Sequence, residues 1–296
     1  MKRLFVLVAC GCVAPPSKDS AVVTPPLTFT THNVGTTPWL SAMGDTPHRE
    51  TCETWYGNNL CTTGDESSEA ALLHTLQPDL AVFAEVWPSR YCDAPSRPAE
   101  ADAAPYACAL PGDQLDRVLP TGLVWSCMPD YPDLCLAWRT GLWSADGPLR
   151  PIPTSCQAAG RMALLSLVGP NGPITLGGVH LEAGLSSDNH ACRMEQLEAL
   201  SRALPEDGPL ILAGDFNFDP GAEGPEAHMM ADLADSLGLR RLADDGPTSP
   251  LLGMDLDAVY VRGFDAPEPC ALHMPEEVDG PMFDHALVMV SLEDHR

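Results

Sequence analysis

The feature that most constrains the fold of this chain is the alternation of strand-like and helix-like segments. Residues 27–34 alternate apolar and polar side chains, which predicts a strand. Residues 67–77 have the apolar spacing of a helix, and Pro78 ends that pattern. Residues 79–86 follow as an almost continuous apolar run, which is typical of a buried strand. A helix that leads into a buried strand favours an α/β fold.

The same two patterns continue through the rest of the chain. Asn171-Gly172 is a turn dipeptide that favours a hairpin between two strands. No regular structure is predicted for residues 87–120, which are polar and rich in proline. Further strands are predicted at residues 123–127, 135–139, 161–168, 173–181, 210–213, 256–261 and 286–292, and further helices at residues 188–204 and 227–237.

The N-terminus predicts an exported protein. Basic residues precede the short apolar run 4–9, which is the pattern of a signal peptide over residues 1–10. Leu7-Val8-Ala9-Cys10 resembles the bacterial lipobox, in which the cysteine is lipidated, and an ordinary secretory signal is the alternative. We therefore expect either a bacterial cell-envelope lipoprotein or a secreted protein. Its contact with the membrane would then be made through the N-terminal lipid anchor alone.

The rest of the chain predicts one catalytic domain behind a tether. Residues 11–26 contain two proline pairs and serines, as a tether does. Residues 27–296 contain no linker or repeat that would divide them, so we treat them as one domain. No segment approaches the roughly 20 apolar residues that a membrane-spanning helix needs.

The cysteines and the charge narrow the class of protein further. Eleven cysteines without the spacing of a zinc site are unusual for a reduced cytosolic enzyme and agree with export. The close pairs Cys52 with Cys61 and Cys127 with Cys135 favour local disulfides, although spacing does not fix the connectivity. The formal net charge of −25 repels polyanions, which is a weak argument against a general nucleic-acid-binding protein.

Polar side chains stand at the ends of several predicted strands. Glu85 lies near the end of the apolar run 79–86, where an unpaired charge is expensive to bury, so a cation is expected beside it. Gly214-Asp215-Phe216-Asn217 turns directly out of a short apolar strand, and Asp284-His285 precedes the last strand. Each feature alone has an ordinary structural explanation, because Asp, Asn and Gly are common turn residues. In α/β folds, however, sites form at such strand ends.

The order of these polar residues resembles the endonuclease/exonuclease/phosphatase superfamily. The resemblance covers nearly all of residues 27–292, and GDFN together with a terminal Asp-His pair is more specific than either motif alone. It implies an α/β four-layer sandwich, with two packed β-sheets flanked by helices and the matching residues at one edge. The matching positions are Asn33, Glu85 in EVW, His180 in GVHL, Asp215 and Asn217 in GDFN, Asp257 in LDAVYV and Asp284-His285 in FDHALV.

The resemblance also implies a metal site. Glu85 would bind a divalent cation, which is usually Mg²⁺, with Mn²⁺ or Ca²⁺ as alternatives. Asn33 would support the contacts between metal and phosphate, and Asp284 would face the metal. Oxygen ligands suit Mg²⁺ because it is a hard ion that prefers carboxylates, water and phosphate. Gly35 departs from the pattern, since many nucleases carry an additional acidic residue close to the matching asparagine.

The remaining positions would carry out the hydrolysis. His285 would activate the attacking water, and Asp257 would fix its tautomer. Asp215 would orient the nucleophile, although the role of base has been argued in this superfamily for both the histidine and this aspartate, and the assignment stays open. Asn217 would hold the scissile phosphate, and His180 would donate to a phosphate oxygen.

Two arginines are weaker candidates for contacts with the substrate phosphate. Arg193 and the nearby Gln196 match the family's pattern on the predicted helix 188–204, and a solvated helix face explains them equally well. Arg161 opens a predicted strand, where a structural surface arginine is the more frequent role.

These inferences predict an exported, metal-dependent phosphodiesterase, a hydrolase that acts on ester bonds. Its substrate would be a phosphate ester from nucleic acid or from a phospholipid headgroup of the sphingomyelin type, and no protein partner is predicted. The alternative is a catalytically silent surface protein that uses the same fold for binding. Retention of the whole acid and histidine set favours the enzyme, since a silent scaffold has no physical need for it.

Overall fold

The computed structural model of this protein describes most of the folded unit. The described residues are 26–35, 65–86, 112–129, 134–156, 161–244, 246–249, 252–274 and 285–294. The predicted signal peptide and tether therefore lie outside the described residues, apart from Pro26. No helix within the described stretches is long and apolar enough to cross a membrane.

The first of two seven-stranded sheets contains both ends of the described chain. Its strands run in the order β12-β14-β1-β2-β4-β3, and β13 also pairs with β14. β1 lies parallel to β2 and antiparallel to β14. The strands are β1 (Leu27–Asn33), β2 (Leu80–Ala84), β3 (Leu123–Cys127), β4 (Cys135–Arg139), β12 (Phe264–Asp265), β13 (Ala271–His273) and β14 (Leu287–Asp294).

The second sheet is built around a long hairpin. Its strands run in the order β10-β11-β9-β8-β7-β5, and β6 also pairs with β7. A two-residue loop, Pro170-Asn171, connects β7 to β8, and Gly172 accepts a φ of 107° at the turn. The strands are β5 (Ser144–Ala145), β6 (Arg150–Pro151), β7 (Met162–Gly169), β8 (Gly172–His180), β9 (Leu210–Asp215), β10 (Arg240–Arg241) and β11 (Asp257–Arg262).

Helices cover the outer face of each sheet. The first sheet packs against α1 (Asp65–Leu76) and α2 (Gln114–Val118) through a cluster that includes Leu73 and Phe83. The second sheet packs against α3 (Ser187–Ala203) and α4 (Pro225–Leu237). Apolar side chains of both sheets meet in a central cluster. The result is the predicted four-layer α/β sandwich.

One short helix corrects the prediction for residues 87–120. Residues 114–118 form α2, whereas no regular structure was expected there. Asp116 accepts a hydrogen bond from the backbone of Asp113 at 3.4 Å, and Leu115 and Val118 are buried against the first sheet. A five-residue helix is too short to show apolar periodicity, so the sequence pattern carries little sign of it.

Two disulfides lie within the described chain. Cys127 pairs with Cys135 and closes the β3–β4 connection, as the close spacing indicated. Cys156 pairs with Cys192 across a sequence separation of 36, which is not a local pair and ties the chain after β6 to α3. Cys270 is a buried free thiol. The proposed partners Cys52 and Cys61 lie outside the described residues.

Candidate active site

The topology brings the predicted site residues to one edge of the sandwich. Parallel pairing of β1 with β2 aligns Asn33 with Ala84, so Glu85 follows beside Asn33. Parallel pairing of β8 with β9 places His180 opposite Asp215, and Asp257 lies opposite Asp215 on the other side. β14 runs antiparallel to β1, so its N-terminal end, preceded by His285, lies beside the C-terminal end of β1.

Asn33 joins the two sheets at this edge. Its Oδ1 accepts a hydrogen bond from the backbone N–H of Gly35 at 3.0 Å, which fixes which end of the amide carries the oxygen. Its Nδ2 donates to Glu85 Oε1 at 3.1 Å and to Asp215 Oδ2 at 3.0 Å. One buried amide thus holds a carboxylate from each sheet at a common point.

Glu85 is held in an unusual backbone conformation. It follows β2 with a φ of 57°, in the left-handed region that few residues other than glycine, asparagine and aspartate adopt. Its side chain is 32% exposed, whereas Asp215 is buried. Gly35 gives it room, because a Cβ on Gly35 would lie 2.6 Å from Glu85 Cδ. The position of the Glu85 carboxylate therefore depends on a strained backbone at Glu85 and on the absence of a side chain at Gly35.

The GDFN turn places Asp215 and Asn217. Gly214 has a φ of 136°, and a Cβ there would overlap the backbone of Val179 on the neighbouring strand, so only glycine fits. Asn217 also lies in the left-handed region, with a φ of 53°. Its N–H donates to Asp215 Oδ1 at 2.7 Å, and its Nδ2 donates to Leu181 O at 3.0 Å.

Asp257 and His285 form a pair across the two sheets. Asp257 is fully buried at the start of β11, and its Oδ2 lies 2.6 Å from His285 Nδ1. When Asp257 accepts the Nδ1 proton, it holds the imidazole in the tautomer in which Nε2 is the basic nitrogen. That nitrogen lies 3.9 Å from Asp215 Oδ2, a separation that one water molecule hydrogen-bonded to both atoms can span.

His180 completes the cluster as a neutral imidazole. Burial, with the nearby charges of Arg161 and His285, holds the pKa of His180 well below its ordinary value. Its Nε2 lies 3.6 Å from Glu85 Oε1 and 3.9 Å from Asp215 Oδ2. A neutral histidine in this position can donate one hydrogen bond to an anionic ligand without bringing a full charge into the site.

The buried carboxyl of Asp215 has a perturbed pKa. Burial raises its pKa to about 6, against the opposing effects of His285 and of the hydrogen bonds from Asn33 and Asn217. The negative charge of Asp257 adds to the rise, and a cation beside Asp215 would favour its ionised form.

The sequence of residues 59–280 matches the model of the Endonuclease/Exonuclease/phosphatase family. This match covers about three quarters of the 296 residues and spans most of the site. The chain belongs to this family. Members of the family hydrolyse phosphoester bonds. No curated protein sequence matches the chain.

Solved structures share the same fold at low sequence identity. An endonuclease/exonuclease/phosphatase protein from Beutenbergia cavernae is 19% identical, with a TM-score of 0.59 over 92% of this chain and 72% of its own. TDP2 of D. rerio, complexed with a single-strand DNA product, is 14% identical, with a TM-score of 0.59 over 90% and 99%. Beta toxin from Staphylococcus aureus is 12% identical, with a TM-score of 0.52 over 89% and 99%. At these identities the comparison confirms the fold.

The donor atoms of the site fit a divalent cation of the kind this family typically uses. The carboxylates of Glu85 and Asp215 converge on Asn33 Nδ2, and the partial exposure of Glu85 leaves access for a hydrated ion. Donor atoms of Asp215, Asp257 and His285 also lie within 4.8 Å of one another. We favour the side of Glu85 for the cation, because Asp257 and His285 are already bonded to each other.

Three of the predicted site residues, Arg161, Arg193 and Asp284, are not part of the cluster that the structure describes. Arg161 borders the site, since its guanidinium lies 3.5 Å from Leu181 O and 3.8 Å from Glu182. Arg193 is 1% exposed and donates to Glu182 O, Gly184 O and Glu226, so it holds α3 to neighbouring segments. The contacts of Arg193 argue for a structural role of this residue rather than the predicted phosphate contact. Asp284 lies outside the described residues.

Two residues at this edge have roles that the sequence analysis does not assign. Gly35, noted only as a departure from the family pattern, makes room for Glu85 and orients Asn33. Thr248 is fully buried and bonded to the backbone on either side of the Asp257–His285 pair. A lone threonine in a segment of turn residues carries no sequence signal for such a contact.

Proposed function

We propose that this protein is an exported phosphodiesterase that depends on a divalent cation, with Mg²⁺ as the first candidate and Mn²⁺ or Ca²⁺ as alternatives. The observation that carries the proposal is that an aspartate–histidine pair lies next to a cluster of carboxylates at one edge of the sandwich. His285 Nδ1 lies 2.6 Å from Asp257, and Asn33 bonds Glu85 and Asp215 close to the other ring nitrogen. Family membership supports hydrolysis of a phosphoester bond.

In the proposed mechanism, His285 and Asp215 handle the attacking water. The Nε2 lone pair of His285 accepts a proton from the water as the water oxygen bonds to phosphorus, and Asp257 stabilises the imidazolium that forms. The P–O bond to the leaving alkoxide breaks, and the alkoxide takes a proton from solvent. Asp215 Oδ2, 3.9 Å away, accepts the second hydrogen bond of that water and sets its direction of attack. The burial of both carboxylates keeps bulk water out and strengthens these contacts.

Neutral donors bind the phosphate in this proposal. His180, neutral because of its lowered pKa, donates from one ring nitrogen to a nonbridging oxygen. One N–H of the Asn217 side-chain amide donates to Leu181 O, and its second N–H donates to the scissile phosphate in this proposal, while Arg161 supplies a positive charge at the rim. A bound cation supplies Lewis-acid stabilisation of the charge that builds on the phosphate oxygens. Glu85 is its proposed first ligand, with Asn33 and Asp215 beside it.

The substrate is proposed at the level of a phosphodiester from nucleic acid or from a phospholipid headgroup. One structural relative is TDP2 of D. rerio complexed with a single-strand DNA product, which supports the nucleic-acid branch. The net charge of −25 favours the other branch, because it opposes the approach of a polyanion. Export, with a lipid on Cys10 or with an ordinary secretory signal, is part of the same proposal and rests on the N-terminal sequence.

A panel of substrates tests the proposal. The purified mature domain is incubated with plasmid DNA, sphingomyelin vesicles and bis-p-nitrophenyl phosphate, each with Mg²⁺ and with EDTA. We expect cation-dependent turnover of at least one substrate, and the preferred one assigns the branch. A protein that hydrolyses none of the three in the presence of Mg²⁺, Mn²⁺ or Ca²⁺ supports the catalytically silent alternative instead.

A further inference from the structure

The pairing of Asp257 with His285 raises a structural question, because the two residues belong to different sheets. Asp257 begins β11 of the second sheet, whereas His285 precedes β14 of the first. A 2.6 Å contact between Oδ2 and Nδ1 tolerates little relative movement of those backbones. Some group at the edge of the sandwich must therefore hold the two segments in register.

Thr248 makes a hydrogen bond to each side of this pair. Its Oγ1 accepts from the backbone N–H of Asp257 at 2.9 Å. Its carbonyl oxygen accepts from the backbone N–H of Ala286, the residue after His285, at 2.7 Å. The side chain is fully buried, so water does not compete for either bond. A single residue thus connects the backbone segments that carry Asp257 and His285.

The segment around Thr248 is itself held by backbone bonds. Ser249 and Met254 form an isolated β-bridge, with Ser249 N–H donating to Met254 O at 2.9 Å. Asp244 forms a second bridge, to Cys270, four residues before Thr248. The backbone near Thr248 is therefore held by these two bridges.

We propose that Thr248 is a positioning residue for the Asp257–His285 pair. Its hydroxyl fixes the start of β11, and hence the direction in which the Asp257 carboxylate meets the imidazole. The inference rests on the proposed function, because activation of water by His285 depends on how Asp257 holds the imidazole. Thr248 touches neither substrate nor metal in this account and acts through the pair.

The test compares variants that remove a buried hydroxyl at two places. Thr248→Val removes the acceptor for the Asp257 N–H while keeping the side-chain shape. Thr30→Val is the matched control, because Thr30 is also fully buried and its Oγ1 donates to Val288 O at 2.8 Å, within the first sheet. Ser249→Ala is a second control, since the Ser249 hydroxyl is buried next to Thr248 and has no hydrogen-bond partner among the described residues.

We expect Thr248→Val to lower kcat for bis-p-nitrophenyl phosphate by about 10-fold or more with KM nearly unchanged, because a small misplacement of catalytic groups is costly. Thr248→Ser, which keeps the hydroxyl, should restore most of the rate. Thr30→Val should lose as much thermal stability as Thr248→Val and keep the wild-type rate. Ser249→Ala should keep both the wild-type rate and the wild-type thermal stability. If Thr248→Val loses no more activity than Thr30→Val, the inference is wrong. Thr248→Ala replaces the valine variant if the latter does not fold.

A spectroscopic readout separates this inference from the proposed function. The hydrogen-bonded Nδ1 proton of His285 gives a downfield proton NMR signal, which Asp257→Asn identifies by its loss. We expect Thr248→Val to shift or broaden that signal and Thr30→Val to leave it in place. An unchanged signal in Thr248→Val overturns the inference, even if the wild-type protein hydrolyses none of the substrates.

Discussion

A single methyl group at Gly35 should disable the site without unfolding the protein. An added Cβ would overlap Glu85 Oε2 and would lie 2.6 Å from Glu85 Cδ and 2.8 Å from Glu85 Cβ. Carbon atoms in good contact are about 3.5 Å apart or more, so the Glu85 carboxylate must move by about 1 Å. A displacement of this size in a catalytic group costs about 100-fold in rate, or roughly 3 kcal/mol of transition-state stabilisation.

The fold should tolerate the same change. The φ of Gly35 lies outside the left-handed region, and the carboxylate of Glu85 can turn toward solvent because the side chain is 32% exposed. The overlap with Glu85 Cβ needs a small shift of the backbone as well. Replacing glycine by alanine also reduces the entropy of the unfolded chain, which stabilises by about 0.4–1 kcal/mol where the conformation is compatible. The backbone shift costs about 1–3 kcal/mol, so the free energy of unfolding of Gly35→Ala should fall by no more than about that amount.

The assay is the rate of bis-p-nitrophenyl phosphate hydrolysis as a function of Mg²⁺ concentration, with urea unfolding measured on the same samples. We expect Gly35→Ala to lower kcat/KM about 100-fold and to raise the Mg²⁺ concentration for half-maximal rate. Gly246→Ala is the control, because a Cβ there meets only Leu272 Cδ1, at 3.9 Å. Wild-type kinetics and Mg²⁺ dependence in Gly35→Ala would refute the idea that the position of Glu85 matters.

Three further predictions follow from the geometry. Asp257→Asn should lower kcat by about 10²-fold or more. In the His285→Ala background the same substitution should cause little further loss of kcat, because the two residues act as a unit. Full additivity of the two losses in a double-mutant cycle would contradict the pairing. Burial raises the pKa of Asp215 to about 6 from 3.8, so the protonated form favours the fold. The metal-free protein therefore loses stability as pH rises through this window, and Asp215→Asn should stabilise it at pH 8 by on the order of 2 kcal/mol in urea with EDTA while abolishing turnover. Replacing Cys156 and Cys192 by serine should cost about 3–4 kcal/mol of unfolding free energy, given the sequence separation of 36, and an unchanged urea midpoint rules out that disulfide.

The strands and the long helices follow from local pattern, which explains why they could be predicted. β2 and β9 are continuous apolar runs, and their side chains are buried on both faces. The hairpin from β7 to β8 follows from its turn dipeptide, and the residues of β3 and β4 coincide with the predicted strands. The short helix α2 was missed because five residues give no periodicity.

Part of the site also follows from the sequence, and part of it does not. Parallel and antiparallel pairing brings Asn33, Glu85, Asp215, Asp257 and His285 to one edge, as the ordered motifs indicated. The direction of each side chain could not be predicted, because it depends on contacts between residues that are far apart in the chain.

Two side chains show this limit in particular. Arg193 reads as a charge on a solvated helix face, yet it is buried, because backbone carbonyls and Glu226 surround its guanidinium. Thr248 reads as a turn residue, and its role depends on two backbone groups that lie 9 and 38 residues further along the chain.

The central claim is that the carboxylate of Glu85 supports phosphodiester hydrolysis by holding a divalent cation. The most direct measurement is the rate of bis-p-nitrophenyl phosphate hydrolysis against Mg²⁺ concentration for the wild type and for Glu85→Gln, which keeps the size of the side chain and removes its charge. We expect saturable Mg²⁺-dependent turnover in the wild type, abolished by EDTA, and a rate at least about 100-fold lower in Glu85→Gln. Equal, Mg²⁺-dependent rates in the two proteins would contradict it.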